Sequence, residues 1–294
     1  MLNTFNFNRI KEPVFIIGCP RTGSKIYMSL LNGYSEINIS PEMHILEPFW
    51  LHKDFHTKVR SSFSEIDSEQ KVDDLINMMY NKEFSGSFWN LIEIDKYKLK
   101  QDIKESDRTT ESLFKILIAN DAELKGKQRA GAKFPVHFSY VSTLTDWFPD
   151  CKILHLTRDP RAIYASQSKR YASKKKSSLA KSAIRFTTLV YITLSYRWAG
   201  LIHNRYKNNQ NYLLSRFEDT VTQPETQLRR ICDFLRIDYT PEMLHPKVQD
   251  SSFNRDTKKG FNTQAIDRWK DTITPLSSIF ITTLNKRYVK QFGY

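Results

Sequence analysis

Cysteine is scarce in this sequence. Cys19, Cys151 and Cys232 are the only three in 294 residues, too few and too scattered for a disulfide framework or a cysteine-held metal cluster. Cys19 and Cys151 stand in or beside apolar runs, which suits buried thiols. The histidines show no metal-ligand spacing. Long apolar runs are also missing. The N-terminal MLNTFNFNRIKEP lacks the apolar core of a signal peptide. The longest apolar-rich segment, 183–202, is interrupted by Arg185, Arg197 and several hydroxyls, so no transmembrane span is expected. These absences fit a soluble cytoplasmic protein. Internal repeats are absent as well. Acidic residues are outnumbered, 32 against 45 Lys and Arg, for a net charge of +13. A nucleic acid, a membrane surface, a polyanionic small molecule or plain solubility can each account for that surplus.

What is present is ordinary globular composition, 40% hydrophobic and 26% charged. The length suits one large α/β domain or two small ones, with a sizeable core, and 1–294 is expected to be one domain. VFIIG (14–18) is a short apolar run ending in glycine, the pattern of a buried parallel strand. Residues 24–33 follow with helical spacing, and INIS (37–40) is a second strand. Residues 44–128 are polar and helical. AGAKFP (130–135) reads as a third strand and CKILHLTRDPRAIYASQSKR as strand, turn and helix. Asp159 can cap that helix and Pro160 suits its first turn. One long helix is expected over 174–206, a fifth strand over 211–217, an amphipathic helix over 224–237 and a last helix over 276–291. The fold class is therefore α/β: a P-loop-like central parallel sheet of about five strands with helices on both faces. In such sheets ligands bind beyond the carboxyl ends of the strands. Arg21 and Arg158 both fall there.

The segment GCPRTGSK (18–25) almost spells a phosphate-binding loop of pattern GxxxxGK[ST]. Gly18 and Gly23 are correctly spaced, but Ser24 precedes Lys25 and Ile26 follows it. A strand feeding a glycine turn and then a helix presents backbone N–H groups to an anion, and Arg21, Ser24 and Lys25 add charge and a hydroxyl. Nucleoside triphosphate chemistry needs a hydroxyl after the lysine to hold Mg²⁺, and that position is Ile26. The loop suits a phosphate handled without metal.

PRTGSK and LTRDPRAIYASQSKR together resemble the sulfotransferases that use 3′-phosphoadenosine 5′-phosphosulfate (PAPS), and SRFEDTVTQPETQLRRICDFL resembles that family's tail motif. The likeness covers about 14–43 and 130–275. It implies that Arg21, Thr22, Gly23, Ser24 and Lys25 hold the 5′-phosphosulfate, with Lys25 in place of the family's second threonine. It implies that Arg158 and Ser166 hold the 3′-phosphate, with Arg170 one helical turn on. Phe217 stands where a related branch has a nucleotide-adjacent tyrosine, and a core aromatic is an equal reading. Lys258, Lys259, Gly260 and then Arg268 match the nucleotide-covering segment near the C-terminus.

Small-molecule cytosolic sulfotransferases place a histidine two residues after a lysine, where GAKFPVHF has Pro135 after Lys133. The pattern instead resembles the tyrosylprotein and bacterial sulfotransferase branch. There a glutamate 21 residues beyond the loop arginine is the base, and that count leads from Arg21 to Glu42. The same branch has a Lys-x-Pro that stabilises the leaving group, matched by Lys133. Helix capping is the other reading of Glu42. His44 is the next candidate for base or for positioning the acceptor. Competing readings are a P-loop-like nucleotide kinase, a basic nucleic-acid-binding protein and a binding protein without turnover. The sequence carries no zinc-finger or RNA-recognition signature, so no nucleic-acid partner is expected. The partner is a hydroxyl-bearing acceptor: tyrosyl peptide, carbohydrate, lipid or small molecule. Residues 44–128 are expected to be an insertion that builds its pocket. A homodimer is allowed, and no metal is expected.

Overall fold

The structure, a computed structural model, describes residues 10–43, 45–46, 68–81, 87–90, 92–134, 137–172, 177–245, 261 and 263–294. The described strands are β1 (Val14–Gly18), β2 (Ile37–Ser40), β3 (Arg129–Lys133), β4 (Lys152–Thr157) and β5 (Tyr212–Arg216). They form a five-stranded sheet in the order β2-β3-β1-β4-β5, and the strand pairs β1–β3, β2–β3 and β4–β5 are parallel. β1, β2, β3 and β4 are buried along their whole lengths, as expected of a parallel sheet covered on both faces. The chain gathers into two compact units, 1–16 with 35–152, and 17–34 with 153–294.

In the first unit β3 is the hub. Ile37 to Ser40 pair with Arg129 to Ala132, and Val14 to Ile16 pair with Gly131 to Lys133. Gly131 is required there, because a Cβ would lie 2.2 Å from the Val14 carbonyl oxygen. The helices are α2 (Glu69–Tyr80), α3 (Ser87–Asn90), α4 (Lys96–Lys104), α5 (Thr110–Leu124) and α6 (Val141–Trp147). Ser68, Asp95 and Thr109 cap α2, α4 and α5 by accepting from backbone N–H groups of the first turn, which satisfies donors the helix itself cannot. Phe114 of α5 packs its ring among those of Phe15, Phe134 and Phe148. The buried Asp121 carboxylate takes hydrogen bonds from Asn38 (2.7 Å) and Ser40 (2.5 Å), tying α5 to β2.

In the second unit β4 and β5 pair from Ile153–Tyr212 to Thr157–Arg216. Its helices are α1 (Ser24–Tyr34), α7 (Pro160–Ala172), α8 (Ser178–Tyr206), α9 (Phe217–Thr222), α10 (Pro224–Leu235), α11 (Pro275–Leu284) and α12 (Lys286–Gln291). α8 begins at Ser178, capped by Ser177, later than residue 174; 174–176 lie outside the described residues. α10 stops at Leu235 because Arg236 turns left-handed, with φ 56°. Two expectations fail. β5 ends at Arg216, and Phe217 opens a helix whose first turn carries Glu218 and Asp219, acids that favour a helix N-terminus. The C-terminal helix is two helices, broken at Asn285, whose amide nitrogen donates to the Ile281 carbonyl.

Candidate active site

In the second unit the loop after β1 is built on unusual backbone. Gly18 has φ +142°, and a Cβ there would lie 2.3 Å from the Leu156 carbonyl oxygen. Arg21 has φ 71°, and Gly23 has φ 89°. A non-glycine residue such as Arg21 in the left-handed region stores strain, a mark of functional loops. The Thr22 hydroxyl is buried and donates to the Cys19 carbonyl at 2.9 Å, so its proton holds the loop together. Cys19 is no nucleophile: burial pushes its thiol up to about 12. α1 starts at Ser24 with Ile26 N–H donating to Gly23, and Lys25 is exposed. Ile26 turns to the apolar cluster of Leu30, Leu228, Cys232 and Met243. That packing explains why the position holds no hydroxyl.

Arg21 Nε donates to Ser166 Oγ at 3.0 Å. The loop that resembles a 5′-phosphosulfate cradle is thus joined directly to the serine expected at the 3′-phosphate. Arg158 follows β4 and donates to the Arg21 carbonyl (3.1 Å) and to the Ala265 carbonyl (2.7 Å). Its guanidinium lies over the Phe217 ring, 4.2 Å from the centroid. The Phe217 edge meets Gly23, whose Cβ would stand 2.6 Å from it. Phe217 is therefore buried and supports both Arg158 and the loop. Arg158 Nε is buried and has no hydrogen-bond partner among the described residues. Burial pulls the Arg158 pKa down, Glu218 pulls it up, and Arg21 pulls it down. Two cations held this close, one with an unmet buried donor, fit an anion.

Glu218 was not singled out by sequence, although it follows Phe217 in the tail motif. It is buried, accepts from the Asp159 N–H (2.9 Å) and the Tyr294 hydroxyl (2.8 Å), and burial raises its pKa above the usual carboxylate range. Asp159 caps α7 as expected, taking the Arg161 N–H at 2.8 Å, and pairs with the Arg161 side chain at 2.7 Å. Arg161 in turn stacks on Trp269, 4.0 Å away. Arg170 lies in α7 one turn after Ser166. Arg268 is exposed, three residues beyond the Ala265 carbonyl that Arg158 holds. Lys258, Lys259, Gly260 and His44 lie outside the described residues.

In the first unit the structure brings Glu42 and Lys133 together. Lys133 closes β3 and is 2% exposed; its ammonium donates to Glu42 Oε1 at 2.6 Å. Glu42 stands two residues past β2 and keeps 28% of its side chain open. Its backbone is clamped by α3: the Phe88 N–H donates to the Glu42 carbonyl (3.3 Å), and the Trp89 indole to the Met43 carbonyl (2.7 Å). Glu42 is thus an ion-pair partner of Lys133, and the segment it could cap, beyond residue 46, lies outside the described residues. A half-open carboxylate can accept a proton, and a buried ammonium can stabilise a developing negative charge. No group of three potential metal ligands occurs among the described residues.

A sequence profile of the sulfotransferase family matches residues 13–241. Among solved structures, the sulfotransferase domain from the curacin biosynthetic pathway aligns over 97% of this chain and 99% of its own, at 19% identity and TM-score 0.62. The sulfotransferase domain of the Synechococcus PCC 7002 olefin synthase aligns over 97% and 96%, at 21% identity and TM-score 0.57. Mouse sulfotransferase SULT7A1, solved in complex with PAP, aligns over 95% and 84%, at 13% identity and TM-score 0.50. At these identities the structural likenesses speak for the fold. No curated protein sequence matches.

Proposed function

The chain belongs to the sulfotransferase family, and from that premise we propose that it transfers a sulfuryl group from PAPS to an acceptor hydroxyl. The observation that carries the reading is the cationic cluster of Arg21, Arg158 and Ser166, with its buried, unmet Arg158 Nε. When bound, PAPS supplies the sulfuryl group and leaves as adenosine 3′,5′-bisphosphate.

The chain's own residues then take distinct roles. The 18–25 loop and the N-terminus of α1 cradle the 5′-phosphosulfate with Arg21, Thr22, Gly23, Ser24 and Lys25. Arg158, Ser166 and Arg170 hold the 3′-phosphate, and Lys258, Lys259, Gly260 and Arg268 cover the nucleotide. The Arg21–Ser166 hydrogen bond favours a shared role for Arg21, positioning the loop and completing the 3′-phosphate set. Glu42 accepts the proton from the acceptor hydroxyl while the acceptor oxygen attacks sulfur and the sulfur–oxygen bond to the phosphate breaks. As Glu42 becomes neutral, Lys133 loses its counter-charge and is free to stabilise the leaving phosphate. Those two events balance the charge without a metal, and Ile26 supports this by filling with carbon the place of a Mg²⁺-binding hydroxyl.

Calorimetry with adenosine 3′,5′-bisphosphate and adenosine 5′-monophosphate, both in EDTA, tests the reading. The bisphosphate is expected to bind at micromolar strength, about −8 kcal/mol, and the monophosphate far more weakly. Equal affinities would sink the nucleotide assignment. Labelled PAPS offered with pooled tyrosyl peptides, sugars, lipids and phenols then identifies the acceptor. Turnover that stops in EDTA and returns with Mg²⁺ would favour a kinase.

A further inference from the structure

A second surface of the second unit carries its own chemistry, independent of the sulfotransferase reading. α8 shows large apolar side chains to solvent: Leu179 (83% exposed), Phe186 (64%), Leu194, Trp198 and Leu201. At about 100° per residue these positions fall within roughly a third of the helix circumference, so they make a stripe. α11 repeats the pattern with Leu276 (79% exposed), Ile279, Phe280 and Leu284. The two stripes adjoin, since α8 packs against α11 and Arg197 donates to the Leu284 carbonyl. α12 continues the same side: Gln291 donates to Asn204 of α8 at 2.7 Å. A continuous face of this kind differs from the single exposed apolar residues of an ordinary surface.

The charged side chains of these helices are all of one sign. No Asp or Glu occurs anywhere from Pro160 to Phe217, nor from Thr272 to Tyr294. Arg185, Arg197, Arg205, Lys286, Arg287 and Lys290 are exposed on these helices. A second copy docked face to face would set these cations against each other with no carboxylate from the same helices to meet them. An anionic bilayer offers what both parts of the face need: an apolar boundary for the Leu, Ile and Phe side chains and negative headgroups for the cations. Trp198 within the stripe suits the boundary between the two, and the long Lys and Arg stems can reach outward from it. None of the described helices is long and apolar enough to cross a membrane, so the helices would lie along it.

We propose that the face formed by α8, α11 and α12 docks on an anionic membrane surface. The test is co-sedimentation of the full chain with vesicles of phosphatidylcholine, with and without phosphatidylserine. Binding is expected only with phosphatidylserine and should weaken with salt. Leu194→Ser with Leu201→Ser leaves the charge unchanged and should weaken partitioning by at least tenfold, since burying a leucine contributes about 1.5–3 kcal/mol. Arg287→Glu with Lys290→Glu tests the charge on a different helix. Each lost cation is worth about 1 kcal/mol, or about fivefold, near such a surface, so at least a 25-fold loss is expected. Both variants should keep the melting temperature and the bisphosphate affinity of the parent. Four results would overturn the proposal: no vesicle binding, equal binding to both vesicle types, binding that the leucine variant leaves intact, or a solution dimer that the leucine variant dissociates.

Discussion

Lys133 and Glu42 form an unequal pair: the lysine side chain is 2% exposed and the glutamate side chain 28%. The inequality makes the two single substitutions differ. In Glu42→Gln the buried ammonium keeps a neutral hydrogen-bond partner but loses its counter-charge, and water cannot replace it. A charge-assisted hydrogen bond contributes roughly 1.5–3 kcal/mol, and a loss of that order is expected. In Lys133→Met the buried charge itself disappears, and Glu42 turns to solvent at smaller cost. Both variants should lose turnover, Glu42→Gln by about 10²–10⁴ in kcat if it is the base, with bisphosphate affinity nearly kept in Glu42→Gln. Urea denaturation alongside kcat decides the matter. Near-normal turnover in folded Glu42→Gln would falsify the base assignment.

Much of the fold was legible because it is local. VFIIG and KILHLT are apolar runs that end where the chain must turn, at Gly18 and Thr157, and they became β1 and β4. The ends of elements were less legible. Phe217 continues an apolar strand pattern, yet the acids after it start a helix. The last helix breaks at Asn285, without glycine or proline to mark it. Tertiary pairings left no local trace: Glu218 meets Tyr294 across 76 residues. Likewise, resemblance pointed to Glu42 and Lys133 one by one, and only the structure shows them bonded to each other.

The Arg21–Ser166 contact predicts coupling between two residues 145 positions apart. Ser166→Ala should weaken bisphosphate binding about tenfold, the worth of one charge-assisted hydrogen bond, and leave monophosphate binding unchanged. Arg21→Ala should weaken both ligands. The double variant should fall short of the sum by at least ~0.5 kcal/mol, as touching residues do. Strict additivity in calorimetry would mean that the contact is absent from the nucleotide complex.

Gly23→Ala meets two separate obstacles. The backbone sits at φ 89°, and the new Cβ would fall 2.6 Å from the Phe217 ring. The strain alone is worth about 1–3 kcal/mol. Phe217→Leu should relieve the collision but not the strain, so the double variant should regain only part of the lost stability. Gly18→Ala presses on the Leu156 carbonyl instead, and no side-chain change can relieve that. Thermal unfolding of these variants separates the two costs. Full rescue by Phe217→Leu would show that the loop backbone is not strained.

Glu218 and His155 give stability opposite dependences on pH. Burial raises Glu218, against a downward pull from the Asp159 N–H, the Tyr294 hydroxyl and Arg158. The folded chain therefore holds this proton more tightly than the unfolded chain does. The stability it contributes is complete below the unfolded glutamate value and is lost as pH rises through the folded one. His155 is buried, bonded to Tyr212, and pushed down to about 3. It contributes stability above the ordinary histidine value and loses it as pH falls toward 3. Glu218→Gln removes the falling limb, so its stability relative to the parent should improve as pH rises above the ordinary carboxylate range. Tyr294→Phe removes a donor that favours the ionised carboxylate, so it should extend that limb to higher pH. It should also loosen the Asp159 turn beside Arg158, lowering bisphosphate affinity while kcat at saturation holds. Denaturation curves at a series of pH values, with calorimetry on the same proteins, measure both effects. If the Glu218→Gln and parent curves run parallel above the carboxylate range, Glu218 does not hold its proton in the way its burial implies.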